Sequence, residues 1–254
     1  MNTVHSWCYR RAMAKRRTSR DNSSLEQWAA QIAALDAAPS APPSRREPLT
    51  AGRIVDAALQ LVEVDGYEAL TMRRVAAALQ ASPGALYAHV RDKAALDDLM
   101  IGELCSRITL PVPDPAQWRA QVLDVCRQMR DLYLRYPGIA HAALESTPQS
   151  LDALRIYEGL FAILLAGGAA PQCAAWAIDG AFQYISAYSL VWLRRVPQEA
   201  AAGPIVENAE VIERFMMLPA DRFPNTVAHA REVTSGEGHD RFDFAVGQLF
   251  RGLT

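Results

Sequence analysis

"TMRRVAAALQASPGALYAHVRDK", residues 71–93, decides the fold. It holds two short helical patterns, each opened by a hydroxyl side chain that can cap orphan amides. Thr71 precedes "MRRVAAAL", and Ser82 precedes "PGALY". Pro83 sits in a first helical turn, where its missing N–H would have no partner anyway. Leu86 and Val90 are four apart, so they share a face and turn inward toward Val75, Ala76 and Leu79. Gly84, Ala85 and Ala88 are left outward, with Tyr87 and His89 at the flanks. Asp92 caps whatever helix comes next.

Upstream, Thr50 can cap a longer helix in which Ile54, Val55, Ala58, Leu61 and Val62 recur at helical spacing. Gly66 is placed to end it. A longer helix followed by two short ones across a tight turn is the helix-turn-helix arrangement, whose second short helix enters the DNA major groove. The turn departs from the usual glycine and reads Leu79-Gln80-Ala81. A left-handed backbone at Gln80 costs about 1 kcal/mol relative to glycine.

The composition fits a globular chain. Half of the 254 residues are hydrophobic and the net charge is −2, so any nucleic-acid contact must rest on local charge. Cys8, Cys105, Cys126 and Cys173 show no metal-ligand spacing and read as reduced thiols. No secretory signal is visible, which points to the cytoplasm. An uncharged window at 159–178 is broken by Gly167, Gly168 and Pro171, so it reads as two buried helices at a turn rather than a membrane span.

Residues 1–48 differ from the rest. Arg10, Arg11, Lys15, Arg16, Arg17 and Arg20 form a basic run, a helical patch is expected at 25–38, and "PSAPPSRREP" reads as a linker. The expectation is a disordered extension; the alternative is a basic arm that follows DNA phosphates. Beyond residue 93 the pattern is helical: 93–109, 118–136, 150–166, 171–195 (closed by Pro197), 208–217, 224–233 and 240–253, with a mobile loop at 198–209. No strand pattern and no repeat appear, so the fold class is all-α.

Residues 54–100, "IVDAALQLVEVDGYEALTMRRVAAALQASPGALYAHVRDKAALDDLM", resemble the DNA-binding domain of the tetracycline-repressor (TetR) family. The motifs "DGYEALTMRRVAAAL", "GALYAHVRDK" and "AALDDL" carry the likeness; "RYPGIA" and the tail from "LPADRFPNTVAHA" onward extend it loosely. The resemblance implies a three-helix DNA-binding domain at 49–92 and a larger helical ligand-binding and dimerisation domain at 93–254. It implies that Tyr87, His89 and Lys93 hold phosphates. Thr71 and Arg73 would reach the backbone and a base edge. Ser82 contributes free helix-start amides, and Gly84 and Ala85 let the helix approach the bases closely. Arg74 is expected to be solvated.

Two further uses follow from the same resemblance. Helices 171–195 and 240–253 would pair with their copies in a homodimer, with Phe242, Val246, Leu249 and Leu253 as the stripe between subunits. Trp118, Met129, Tyr133, His141, Tyr157, Phe161, Trp176, Phe182 and Tyr184 would line a ligand pocket, although aromatics at helical spacing serve a plain core equally well. Asp179 and Gln183 are polar on an apolar helix and need a partner there. The function implied is a dimeric repressor that binds a palindromic double-stranded DNA operator and is released by a small hydrophobic effector. The alternative is a regulator of the same fold answering to a protein partner or to no ligand. His141 is out of register with the metal-binding histidine of the tetracycline-binding members, so no metal or cofactor is expected. No catalytic set, paired carboxylates or phosphate loop argues for an enzyme, and no membrane partner is implied.

Overall fold

Four side chains start the first four helices of the computed structural model, which describes residues 48–145, 150–201 and 208–253. Thr50 Oγ1 accepts from the Arg53 amide at 3.3 Å and opens α1 (Ala51–Asp65). Thr71 Oγ1 accepts from Arg74 at 3.2 Å and opens α2 (Met72–Ala78). Ser82 Oγ accepts from Ala85 at 3.2 Å and opens α3 (Pro83–Tyr87). Asp92 Oδ1 accepts from Ala95 at 2.8 Å and opens α4 (Lys93–Ser106). Each such cap stabilises by about 1 kcal/mol. Gly66, at φ 79°, ends α1 and leads into a one-turn 3₁₀ helix, Tyr67–Ala69, which the sequence reading does not anticipate.

The turn between α2 and α3 closes through Gln80, the one non-glycine described residue with left-handed backbone, at φ 52°. The Ala81 amide reaches back to Ala76 O at 2.9 Å, which makes this a Schellman-type stop. Gln80→Gly is therefore expected to raise subunit stability by about 0.5–1 kcal/mol, since glycine adopts this conformation without a Cβ clash. Thermal melts of the two proteins check it; an unchanged or lower midpoint would remove strain at Gln80 from the account.

The remaining elements are α5 (Trp118–Arg135), α6 (Ala140–Glu145), α7 (Leu151–Ala166), α8 (Pro171–Ala201), α9 (Asn208–Met216), α10 (Pro224–Ala228), α11 (Ala230–Thr234) and α12 (Asp240–Leu249). No strand occurs among the described residues. Residues 49–254 form one compact unit. Within it, α8 packs on α5, α6, α7 and α12, while α4 packs on α1, α6 and α7. One continuous apolar core runs from Ile54 in α1 to Phe250 after α12. Helices α9, α10 and α11 pack on one another.

Several expectations change. Helix α8 does not stop at Pro197 but runs on to Ala201, because a long helix tolerates the loss of one N–H near its end. Helix α4 ends three residues early, at Ser106, and α12 ends at Leu249 rather than 253. The helix expected at 224–233 is two short ones, broken at His229. Helix α6 is an addition. The extension before residue 48 and the loop residues 202–207 lie outside the described residues.

The stripe assigned to the subunit interface also needs correction. Phe242 and Val246 are fully buried within the subunit. Phe242 stacks on Tyr184 with ring centroids 5.8 Å apart and meets Tyr188 at 4.9 Å. The Arg130 guanidinium lies 4.8 Å from its ring centroid. Next to it, Asp243 accepts two hydrogen bonds from Arg127, at 3.0 and 2.6 Å, and these hold its carboxyl below the usual carboxylate range. Leucine-like spacing reports that a helix has an apolar face, and this face is satisfied by the subunit's own α5 and α8. The residues turned outward are Trp176 and Val191 on α8, and Phe244 and Leu249 on α12.

Candidate nucleic-acid interface and ligand cavity

Helix α3 has five residues and is fixed by its inward side chains. Leu86 and Val90 are buried with Val75 and Ala76 of α2. This presents Gly84, Ala85 and Ala88 to solvent. A Cβ placed on Gly84 would meet nothing within 4 Å, so the outer face is open. Tyr87 is half exposed and His89 exposed. No carboxylate occurs between Ala69 and Arg91, whereas Arg73, Arg74 and Arg91 do, so the segment is locally cationic on a chain of net charge −2.

The two adjacent arginines have different employment. Arg74, expected to be solvated, is instead ion-paired with Asp65 and donates to Ala69 O at 3.1 Å. It ties α2 to the end of α1. Arg73 is exposed and makes no hydrogen bond or ion pair among the described residues. Thr71 spends its oxygen lone pair on the α2 cap and keeps its proton for an outside acceptor. Ser82 is engaged in the same way on α3. Lys93 is folded back: its ammonium is ion-paired with Asp97 and lies 3.9 Å from the Tyr67 ring centroid. The Tyr67 hydroxyl donates to the other oxygen of Asp97 at 2.9 Å.

Tyr67 also links this head to the following helices. Its amide donates to Pro137 O at 2.8 Å, in the turn between α5 and α6. Gly138, at φ 84°, passes so close that a Cβ there would come within 3.1 Å of the Tyr67 Cβ. Arg135 at the end of α5 reaches Glu63 of α1 at 3.1 Å.

A cavity of about 270 Å³ lies in the helical core. Ile101 and Cys105 of α4 line it, with Met129 and Tyr133 of α5, Ala143 and Leu144 of α6, Ala153 and Ile156 of α7, and Asp179, Phe182, Gln183 and Ser186 of α8. Of the residues singled out in the sequence, Met129, Tyr133, Asp179, Phe182 and Gln183 come together here. Trp118 does not; it packs against Gly167, where a Cβ would lie 2.5 Å from its ring. Tyr157 stacks on Phe161 at 6.0 Å, Trp176 faces solvent, and half-buried His141 is not among the lining residues. Tyr184 is turned to α12, with Phe242 beside it. Sequence reasoning missed the aliphatic walls and Ser186, which carry no signal apart from helical spacing.

Burial pushes the Cys105 thiol up to about 12 and raises the Tyr133 phenol as well, so both stay protonated and neutral at physiological pH. Cys105, Cys126 and Cys173 are free thiols. Among the described residues no group of His, Cys, Asp and Glu could hold a metal ion, and no helix is long and apolar enough to cross a membrane.

Comparison with known proteins gives matches at both ends of the folded unit. Residues 54–97 match the family "Bacterial regulatory proteins, tetR family", and residues 110–254 match "Tetracyclin repressor-like, C-terminal domain". The chain is 30% identical over 226 residues to the HTH-type transcriptional repressor DrrR1 of Streptomyces coeruleorubidus, covering 83% of this chain and 80% of that protein. It is 34% identical over 126 residues to an HTH-type transcriptional regulator of Saccharopolyspora erythraea; that match covers 49% of this chain and about half, 53%, of the relative. Among solved structures, ActR of Streptomyces coelicolor in complex with actinorhodin superposes with a TM-score of 0.73 at 31% identity, covering 81% of this chain and 95% of that one.

Proposed function

Because the chain belongs to the tetracycline-repressor family of bacterial regulatory proteins, we propose that it is a dimeric, cytoplasmic repressor that holds a palindromic operator through α3 and releases it when a small, mostly apolar effector fills the core cavity. Residues 49–92 serve as the DNA head and 93–254 as the regulatory and dimerisation domain. The observation that carries this reading is the face of α3: bare where it would meet bases, locked from behind by Leu86 and Val90, and flanked by Arg73, Tyr87 and His89, whose side chains have no hydrogen-bond or ion-pair partner among the described residues. Arg73 is the side chain free to reach a guanine edge, while Tyr87, His89, Thr71 and the Ser82 helix start hold phosphates. Lys93 joins them once its ammonium, which has three donors, turns a proton outward from Asp97.

The outward residues of α8 and α12 form the surface for a second copy, which sets two α3 helices about 34–36 Å apart along one DNA turn. The effector reading is supported by the cavity and by ActR, a relative crystallised in complex with actinorhodin. The cavity borders Ile101 and Cys105 of α4, whose first residue is Lys93. It also borders α5 and α6, whose connecting turn holds Tyr67. An effector that fits better when these helices shift must weaken DNA binding by the same factor by which DNA weakens effector binding.

The test is binding to DNA flanking the protein's own gene across a salt series. Tight, salt-sensitive binding to one short palindrome is expected. Arg73→Ala should weaken it by about 5- to 100-fold and relax preference at one base pair, as a lost guanine contact does. Tyr87→Phe combined with His89→Ala should weaken all sequences alike, as lost phosphate hydrogen bonds do, while the salt slope, set by the Lys and Arg contacts, stays largely in place. Weak binding that is equal on every sequence and indifferent to both variants would remove α3 as the reader.

A further inference from the structure

Five helices close the cavity, yet one lining residue alone carries charge. Among the described lining residues there is no Lys, Arg or His, and the sole acid is Asp179. Asp179 is exposed, so it stands where the cavity meets solvent. Its carboxylate accepts a hydrogen bond from the Gln183 amide at 3.0 Å and has no cationic partner among the described residues. Deeper in, Tyr133 and Ser186 are 6% and 3% exposed, and neither hydroxyl makes a hydrogen bond among the described residues. No buried side-chain oxygen or nitrogen among the described residues lacks a partner, so these two hydroxyls open onto the cavity, where a polar guest atom can take the place of water. The rest of the wall is apolar.

This field is one-signed. An anionic guest would lose its hydration shell only to meet a carboxylate with no cation nearby to offset it. A neutral guest gains the wall. A cationic guest gains the wall and pairs with Asp179 in a setting that screens charge less than bulk water. The volume is about that of nine waters at roughly 30 Å³ each, room for one or two fused rings. We propose that the effector is an organic cation: a compact apolar ring body seated on the inner wall, carrying a protonated amine that pairs with Asp179 at the mouth. This rests on the reading of the cavity as the effector site and specifies its ligand class.

The experiment titrates three probes with one ring body into the full chain by calorimetry: 2-naphthylmethylamine, 2-naphthylmethanol and 2-naphthoate. Each is repeated on Asp179→Asn, an exposed substitution that keeps the Gln183 contact, and on Ala143→Trp, which fills the cavity; thermal melts verify folding. The amine should bind about tenfold tighter than the alcohol, the carboxylate should bind most weakly, and Asp179→Asn should bring amine and alcohol to within about twofold. Equal affinities for all three probes, unchanged in Asp179→Asn but abolished in folded Ala143→Trp, would overturn the cation preference while leaving the cavity as a ligand site. Absence of binding by all three, or binding indifferent to both variants, would overturn the proposal together with the cavity reading.

Discussion

Phe242→Ala is expected to destabilise the subunit by about 3–5 kcal/mol, as deletion of a buried aromatic does. The ring is wholly enclosed, and two tyrosines and a guanidinium rest on it. Its loss leaves a void between α5, α8 and α12. It also uncovers Arg130, a buried cation paired with Asp131 and Asp243. Phe244, two residues along, points the other way and is largely exposed. Phe244→Ala should leave the subunit core intact and weaken self-association. Urea unfolding at several protein concentrations separates the two effects. The Phe242→Ala loss should be the same at every concentration, whereas any Phe244→Ala loss should be absent at low concentration and grow to a plateau as concentration rises, because self-association is linked to stability by mass action. The reverse pattern would restore Phe242 to the interface between subunits.

Leu86→Ala is expected to cost about 2–5 kcal/mol locally and to abolish operator binding. Five residues cannot sustain a helix alone, so α3 exists because Leu86 and Val90 are sunk against α2. Removing the larger anchor frees the helix that would carry Tyr87 and His89 into the groove. Amide hydrogen exchange should show residues 83–90 losing protection, and DNA affinity should fall by more than 100-fold. His89→Ala, in contrast, should weaken DNA binding with no change in exchange. Preserved protection and preserved affinity in Leu86→Ala would show that α3 is held by something other than its apolar side.

The DNA head was legible because its determinants are local. Thr50, Thr71, Ser82 and Asp92 cap helices three residues ahead, and Gln80 takes the left-handed turn that the missing glycine demanded. The regulatory half was legible as helices but not as surfaces. Spacing says that Phe242, Trp118 and Trp176 lie on helix faces. It does not say whether the neighbour is the same subunit, a cavity or solvent; Phe242 and Trp118 turn out to be buried within the subunit, and Trp176 faces solvent. The distinct roles of Arg73 and Arg74 depend on Asp65, eight and nine residues back, across a 3₁₀ turn invisible to periodicity. Lys93 looked free in the sequence and is occupied by Asp97 one turn along its own helix. Helix α6 is six residues long, below the window in which a period can be counted.

The openness around Gly84 has an evolutionary corollary. Positions 84, 85 and 88 touch little of the protein, so selection for folding exerts almost no hold on them. Side chains of many sizes fit there without disturbing the scaffold behind. On the proposed reading of α3 as the base-contacting helix, target preference can therefore change by single codon changes while the scaffold stays fixed.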